Sequence, residues 1–406
     1  MKKKVLKVLS YILVAALASA ATLFICVGME TKQPSKLDAL ENLIEERFIG
    51  EADATQMEDA AAEAMVDALG DRWSYYIPAS QYQAHVEQMN NAYVGIGITI
   101  QAAEDDSGFE VVKVEPDGPA DEAGVLAGDV ITAIEGQSAA GMSTSDARDL
   151  VRGEEGTQVK LTLRRGEETF DLPVTRKTVQ TAVATARMLD GGIGLVTIAN
   201  FDSRCAEETI AAVKSLMEQG AQALLFDVRY NPGGYKDELV KVLDYLLPEG
   251  PLFRSEDYLG RVTVDQSDAD CVGFPMAVLV NGSSYSAAEF FAAALREYGV
   301  AEIIGEPTVG KGYFQQTYKL PDGSAVGLSV GKYSTPNGVS LAEAGGLTPD
   351  RVVEVDEDTA RKIYAGVLEP SEDPQICAAV EALIENKNRG GGSIAAYFYE
   401  KTGLFP

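Results

Sequence analysis

From Thr181 onward, short apolar runs alternate with amphipathic segments of helix length, and that alternation admits very few architectures. "IGLVTIANF" and "ALLFDVRY" read as strands, and the "AEETIAAVKSLMEQG" between them as a helix that Gly220 ends. "GGYKDELVKVLDYLL" is helical, "MAVLVN" is a buried strand, "SAAEFFAAALREYG" is a helix stopped by Gly299, and "AEIIGE" is strand-like. Strands with no polar face must be covered on both sides. The pattern therefore predicts an α/β layer structure around a largely buried sheet.

Upstream the rhythm differs. From Leu37 to about Asn91 apolar residues recur three and four apart, as in "LDALENLIEERF" and "MEDAAAEAMVDALG", which predicts helices. Trp73, Tyr75 and Tyr76 within this region read as core packing. From Ala92 short strands take over. "YVGIGITI" and "FEVVKVEP" precede a hairpin in which Val159, Leu161 and Leu163 alternate on one side of the Arg165-Gly166 turn, and Phe170, Leu172 and Val174 on the other. The expected divisions are residues 1–30, a helical region 31–91, a β-rich domain 92–176, an α/β core 177–370, and a C-terminal helix and tail 371–406.

At the N-terminus Lys2, Lys3, Lys4 and Lys7 precede an uncharged stretch from Val8 to Met29. About twenty apolar residues span a bilayer, and basic residues stay on the cytoplasmic side. The segment is therefore an export signal, with a possible cleavage site at Ala18 to Ala20, or an uncleaved anchor, and a single-pass signal anchor is the expectation. The net charge of -28 repels phosphate backbones, which argues against a nucleic-acid partner. Four cysteines without a CxxC pair, and one histidine, His85, indicate neither a metal site nor a disulfide framework.

Three short segments could carry chemistry. In "NGSSYSAAEFF" serines stand where a strand feeds a helix. Ser286-Ala-Ala-Glu289 is a capping-box pattern, yet a helix N-terminus also suits a developing oxyanion. A nucleophilic serine needs a base, and His85 lies far upstream. A lysine could serve if desolvation lowered it from about 10.4 towards roughly 7–8. Lys311 in "PTVGKGYFQQT" has the small and apolar neighbours this requires, though a surface turn is the plainer reading. Gln315, four residues on, shares its face if the segment is a strand. "DVRYNPGG" ends a buried strand in a glycine turn, either as a tight connection or with amides aimed at a substrate carbonyl.

Taken together, these segments resemble the C-terminal processing peptidases, or tail-specific proteases. That family pairs an NPGG turn (Asn231 to Gly234), an S-A-x-E-like helix start (Ser286 to Glu289) and a G-K-G-x-x-Q segment (Gly310 to Gln315). "YVGIGITI" through Val174, with "GPADEAGVLAGDVITAIEG", resembles the family's PDZ domain. The resemblance implies a membrane-anchored serine endopeptidase with a crotonase-like α/β core, outside the cytoplasmic membrane of a bacterium. It makes Ser286 the nucleophile, Lys311 the general base and Gln315 the group orienting the lysine, with Gly233 and Ala287 forming the oxyanion hole and Ser283 and Ser284 structural. No metal or other cofactor is implied. Substrates would be proteins or peptides with a free C-terminus, bound as an added strand. Their carboxylate would be held around Gly95, Ile96 and Gly97, with Ile98 lining the side-chain pocket. Arg152, at the end of the PDZ helix, would either link this groove to the catalytic site or simply be a helix C-terminal charge. Dimerisation is common in the family, and the helical segments from Leu37 and the C-terminal helix are candidates to mediate a homodimer here. The chain departs from the family pattern at Tyr235, Tyr285 and Ala288. Two rival expectations are a catalytically silent, anchored PDZ scaffold and acyl-CoA chemistry on the crotonase-like fold.

Overall fold

The computed structural model describes residues 13–14, 35–103 and 105–389 of the chain. The expected anchor, Val8 to Met29, lies almost wholly outside these residues, and the tail beyond 389 lies outside them too. Among the described residues no helix is long and apolar enough to cross a membrane. The described residues up to Leu69 belong to a unit of their own. It holds the helix Lys36–Arg47, capped by a reciprocal Ser35–Asp38 box, and the helix Ala54–Asp67, capped by Asp53.

The second unit begins at Gly70. Its β-rich part is a sheet ordered Ile98–Ala102, Phe109–Val114, Val130–Ile134, Gln158–Arg165, Glu168–Thr175, antiparallel throughout. The alternation read in the hairpin is what packs it. Val159, Leu161, Leu163 and Val174 are buried, and Leu161 stands opposite Leu172 and Leu163 opposite Phe170. The strand Ile98–Ala102 is an edge, with the helix Thr144–Val151 packed beside it.

The α/β core is a six-stranded sheet ordered Ala184–Leu189, Ile193–Ile198, Ala223–Asp227, Met276–Val280, Ala301–Gly305, Arg351–Val352, parallel except for its first pair. Alternate residues serve opposite faces. Val196, Leu224, Phe226, Met276 and Val278 pack under the helices Cys205–Glu218, Lys236–Leu246 and Ala287–Glu297. Leu195, Leu225, Ala277 and Leu279 pack against Ile376, Ala379 and Leu383 of the C-terminal helix Pro374–Arg389. Covering both faces is why these strands carry unbroken apolar runs.

A second, antiparallel sheet joins Tyr75–Ile77, Ala325–Ser334, Gly250–Asp257 and Val262–Ser267, with Tyr313–Lys319 also pairing to Ala325–Ser334. Tyr75–Ile77 pairs with Ala325–Gly327. The segment expected to close a helical region at Asn91 is therefore partly a strand of the core, joined by pairing with residues far along the chain.

A buried ion cluster fixes the end of the central strand Ala223–Asp227. Arg229 meets Asp227 twice (2.9 and 2.6 Å), Asp373 Oδ2 (2.8 Å) and Gln375 Oε1 (2.9 Å) at the start of the C-terminal helix. Arg229→Met leaves two buried carboxylates without their cation. It is expected to cost about 3–5 kcal/mol of unfolding free energy, read from the urea midpoint. A change well below ~1 kcal/mol would contradict this reading of the cluster.

Candidate active site

Two adjacent parallel strands, Ala223–Asp227 and Met276–Val280, deliver their carboxyl ends to one place. In open α/β sheets this is where ligand-handling loops gather. The first strand runs into the NPGG turn. Asn231 is fully buried, donating from Nδ2 to Ile198 O (2.8 Å) and accepting the Gly233 N–H on Oδ1 (2.8 Å). Gly233 has φ +92, and a Cβ there would stand 2.7 Å from Ser286 Cβ and 2.9 Å from Ala287 N. Only glycine lets the turn press this closely on the second loop.

That second loop runs from Asn281 to Ser286. Ser284 is buried, its Oγ donating to Val228 O (2.7 Å), which makes it a structural tie between the loops. Ser286 stands at φ +58 and ψ -125, just before the helix Ala287–Glu297. This is a costly conformation for a residue with a side chain. Its Oγ lies 2.8 Å from Tyr333 Oη. Tyr333 is packed among Phe253, Phe290 and Phe314, and burial pushes its phenol well above the usual range, so it stays protonated.

Glu289 does more than cap. Its side chain is fully buried and accepts the Ser286 N–H (2.9 Å), the Gly310 N–H (2.7 Å), the Lys311 N–H (2.9 Å) and the Thr308 hydroxyl. The serine and lysine loops are thus fixed to one carboxyl group. The Lys311 Nζ lies 4.9 Å from the centre of the Trp73 ring and 5.9 Å from that of Tyr285, and these two rings stack at 6.1 Å. Burial lowers the Lys311 pKa to about 8, against the opposing pull of Asp71 and Glu289.

Gln315 is placed otherwise than its spacing suggested. The strand Tyr313–Lys319 begins only after Lys311, so the alternation on which a shared face depends does not reach the lysine. The Gln315 amide donates to Ser329 Oγ (3.0 Å) and Tyr313 O (3.3 Å), not to the lysine. Likewise the Gly233 N–H is occupied by Asn231, while Ala287 opens the helix, where N–H groups have no intrahelical acceptor.

In the β-rich domain, Gly95 closes the strand Ala92–Gly95, paired to Lys177–Gln180. Ile96 is buried, and the carbonyls of Ile96 and Gly97 accept from Ala120 N and Glu115 N (2.9 Å each). Ile98 opens the free edge strand. Arg152 ends the helix Thr144–Val151, 3.3 Å from Glu87 Oε2, with its guanidinium 5.2 Å from the Tyr93 ring centre. Glu87 belongs to the helix Ala79–Met89, which directly follows the Trp73 segment. Sequence reasoning missed Trp73 and Tyr333 as site residues, and it read Glu289 only as a cap.

Comparisons with known proteins point to one family. The model of peptidase family S41 matches residues 192–353, and a PDZ-domain model matches residues 110–165. The carboxy-terminal processing protease CtpA of Bacillus subtilis (strain 168) is 32% identical over 84% of this chain and 76% of its own length. A CtpA-like serine protease of Staphylococcus aureus (strain COL) is 30% identical over 80% of this chain and 66% of its own. A solved Bacteroides fragilis structure assigned to the S41 proteases is 16% identical and covers 84% of this chain and 93% of that one. Its TM-score of 0.52 speaks for the fold alone. The chain belongs to the S41 family of peptidases and is a C-terminal processing serine protease.

Proposed function

We propose that the protein cleaves polypeptides presented by a free C-terminus, with Ser286 as nucleophile and Lys311 as its base. The observation that carries this reading is the lysine's environment. Its half-buried side chain lies under two aromatic rings at a pKa of about 8, and Glu289 ties its backbone to that of the serine. Neutral Lys311 takes the Ser286 proton as Oγ attacks the scissile carbonyl carbon. The ammonium so formed gives that proton to the leaving amine, and water, deprotonated by Lys311, releases the acyl group. The Ala287 N–H, at the start of a helix, faces the oxyanion. The Gly233 N–H joins it by leaving Asn231 Oδ1. For the first transfer the Ser286 hydroxyl turns from Tyr333 towards Lys311, and Gln315 steadies the amine once it leaves Ser329.

The free edge at Ile98–Ala102 supports strand addition by a substrate tail, its carboxylate resting on amides around Gly95, Ile96 and Gly97. Arg152 bridges this groove to the helix Ala79–Met89 and so to the aromatic cover of Lys311. The N-terminal basic and apolar segment would hold the enzyme on the outer face of a bacterial cytoplasmic membrane.

An unfolded protein with an apolar tail tests the chemistry. The parent chain is expected to cleave it, while Ser286→Ala and Lys311→Ala bind the tail without cleaving, and cleavage by either variant contradicts the pairing. Only the neutral amine accepts a proton, so kcat/KM should climb about tenfold per pH unit below about 8 and level off above it. A flat profile from pH 6 to 8 would rule Lys311 out as base. Arg152→Ala is expected to keep tail affinity and lose most cleavage, and undiminished cleavage would end the proposed link.

A further inference from the structure

Asp202 is 5% exposed, and its Oδ1 has no hydrogen-bond partner among the described residues. Leaving a buried carboxyl unpaired is costly, and such a group beside catalytic loops calls for a partner. The residue lies beside the catalytic loops. Phe201 N–H donates to Gly233 O (2.7 Å) and Tyr235 N–H to Phe201 O (2.8 Å), so the Phe201–Asp202 segment is laced to the NPGG turn. That turn in turn presses on Ser286.

Two aromatic side chains share the electrostatic field of this carboxyl. Burial chiefly, and then the Asp202 charge, raise the phenols of Tyr235 and Tyr285. Tyr235 is 43% exposed and stands at the start of the helix Lys236–Leu246. Tyr285 immediately precedes Ser286 and turns its ring towards Lys311. Burial raises Asp202 itself to about 7, so its charge is readily recovered when a cation arrives. An unsatisfied carboxyl beside two tyrosine side chains, one of them exposed, has the donor-seeking chemistry of an ammonium or guanidinium receptor.

We propose that Asp202, Tyr235 and Tyr285 form a subsite that takes a lysine or arginine side chain of the substrate close to the scissile bond. The proposal rests on Ser286 being the nucleophile. It makes Asp202 a specificity-determining residue, since the carboxyl meets a side chain of the substrate and not its reacting carbonyl.

The test uses the full chain and a peptide that it cleaves. Each residue flanking the scissile bond is replaced in turn by lysine, by norleucine and by glutamate, with the C-terminal tail held constant. One position should favour lysine over norleucine by about tenfold or more in kcat/KM and disfavour glutamate, because a site built to pair a polar group discriminates strongly against its absence. In Asp202→Asn the lysine-to-norleucine ratio at that position should fall to about one. If no position favours lysine in the parent enzyme, the proposal is overturned, whatever the folding of the variant. It is equally overturned if the ratio survives in Asp202→Asn. Ser286→Ala assayed on the norleucine peptides separates the two readings. Loss of their cleavage together with a flat lysine ratio removes the subsite alone, whereas persisting cleavage removes the serine.

Discussion

The arrangement depends on a single buried carboxyl group. Glu289 receives backbone N–H groups from Ser286, Gly310 and Lys311, together with the Thr308 hydroxyl. The serine enters from one strand end and the lysine from a loop after another, so nothing in local chain geometry fixes their separation. Fixing two loops to one acceptor does so without any contact between the reacting side chains. The same group draws the backbone of Ser286 into its unusual conformation, where the serine's position ahead of the helix becomes available to a substrate.

Around Lys311 two effects oppose each other. Aromatic faces attract an ammonium by about 0.5–2 kcal/mol, and Asp71 and Glu289 favour the charged form as well. Burial outweighs them. A pKa near 8 corresponds to a net disadvantage on the order of 3 kcal/mol for the charged amine relative to water. Over Lys311 itself, Trp73 and Tyr285 therefore act as partial cover from water more than as receptors of its charge. Tyr333 plays a complementary part by giving the serine hydroxyl a neutral, permanently protonated neighbour.

Local pattern carried much of this. The buried strands, the helices that cover them and the Val159–Leu163 hairpin follow from side-chain period alone, and the loops holding Ser286, Lys311 and Gly233 stood out by composition. What sequence reasoning missed depends on distant pairing. Tyr75–Ile77 becomes a strand only because Ala325–Gly327 receives it, and Trp73 reaches Lys311 by the same route. Tyr333 meets Ser286 through the second sheet, of which no local period gives notice. Gln315 lies on a strand that begins only after Lys311, so the four-residue step between them does not fix a shared face, and where a strand begins leaves no mark on spacing. Glu289 was visible as a cap, but its bonds to the lysine loop were not.

The most direct test of the serine–lysine pairing is the acylation of the intact chain by a small fluorophosphonate, with the adduct located by mass spectrometry and its rate compared between the parent and Lys311→Ala. A small reagent needs no tail recognition, so it reports on the nucleophile and base alone. The account predicts one adduct, on Ser286, formed at least a hundredfold more slowly without the lysine, in line with a general base's contribution of about 10²–10⁴. An adduct elsewhere, or equal rates in the two proteins, would contradict it.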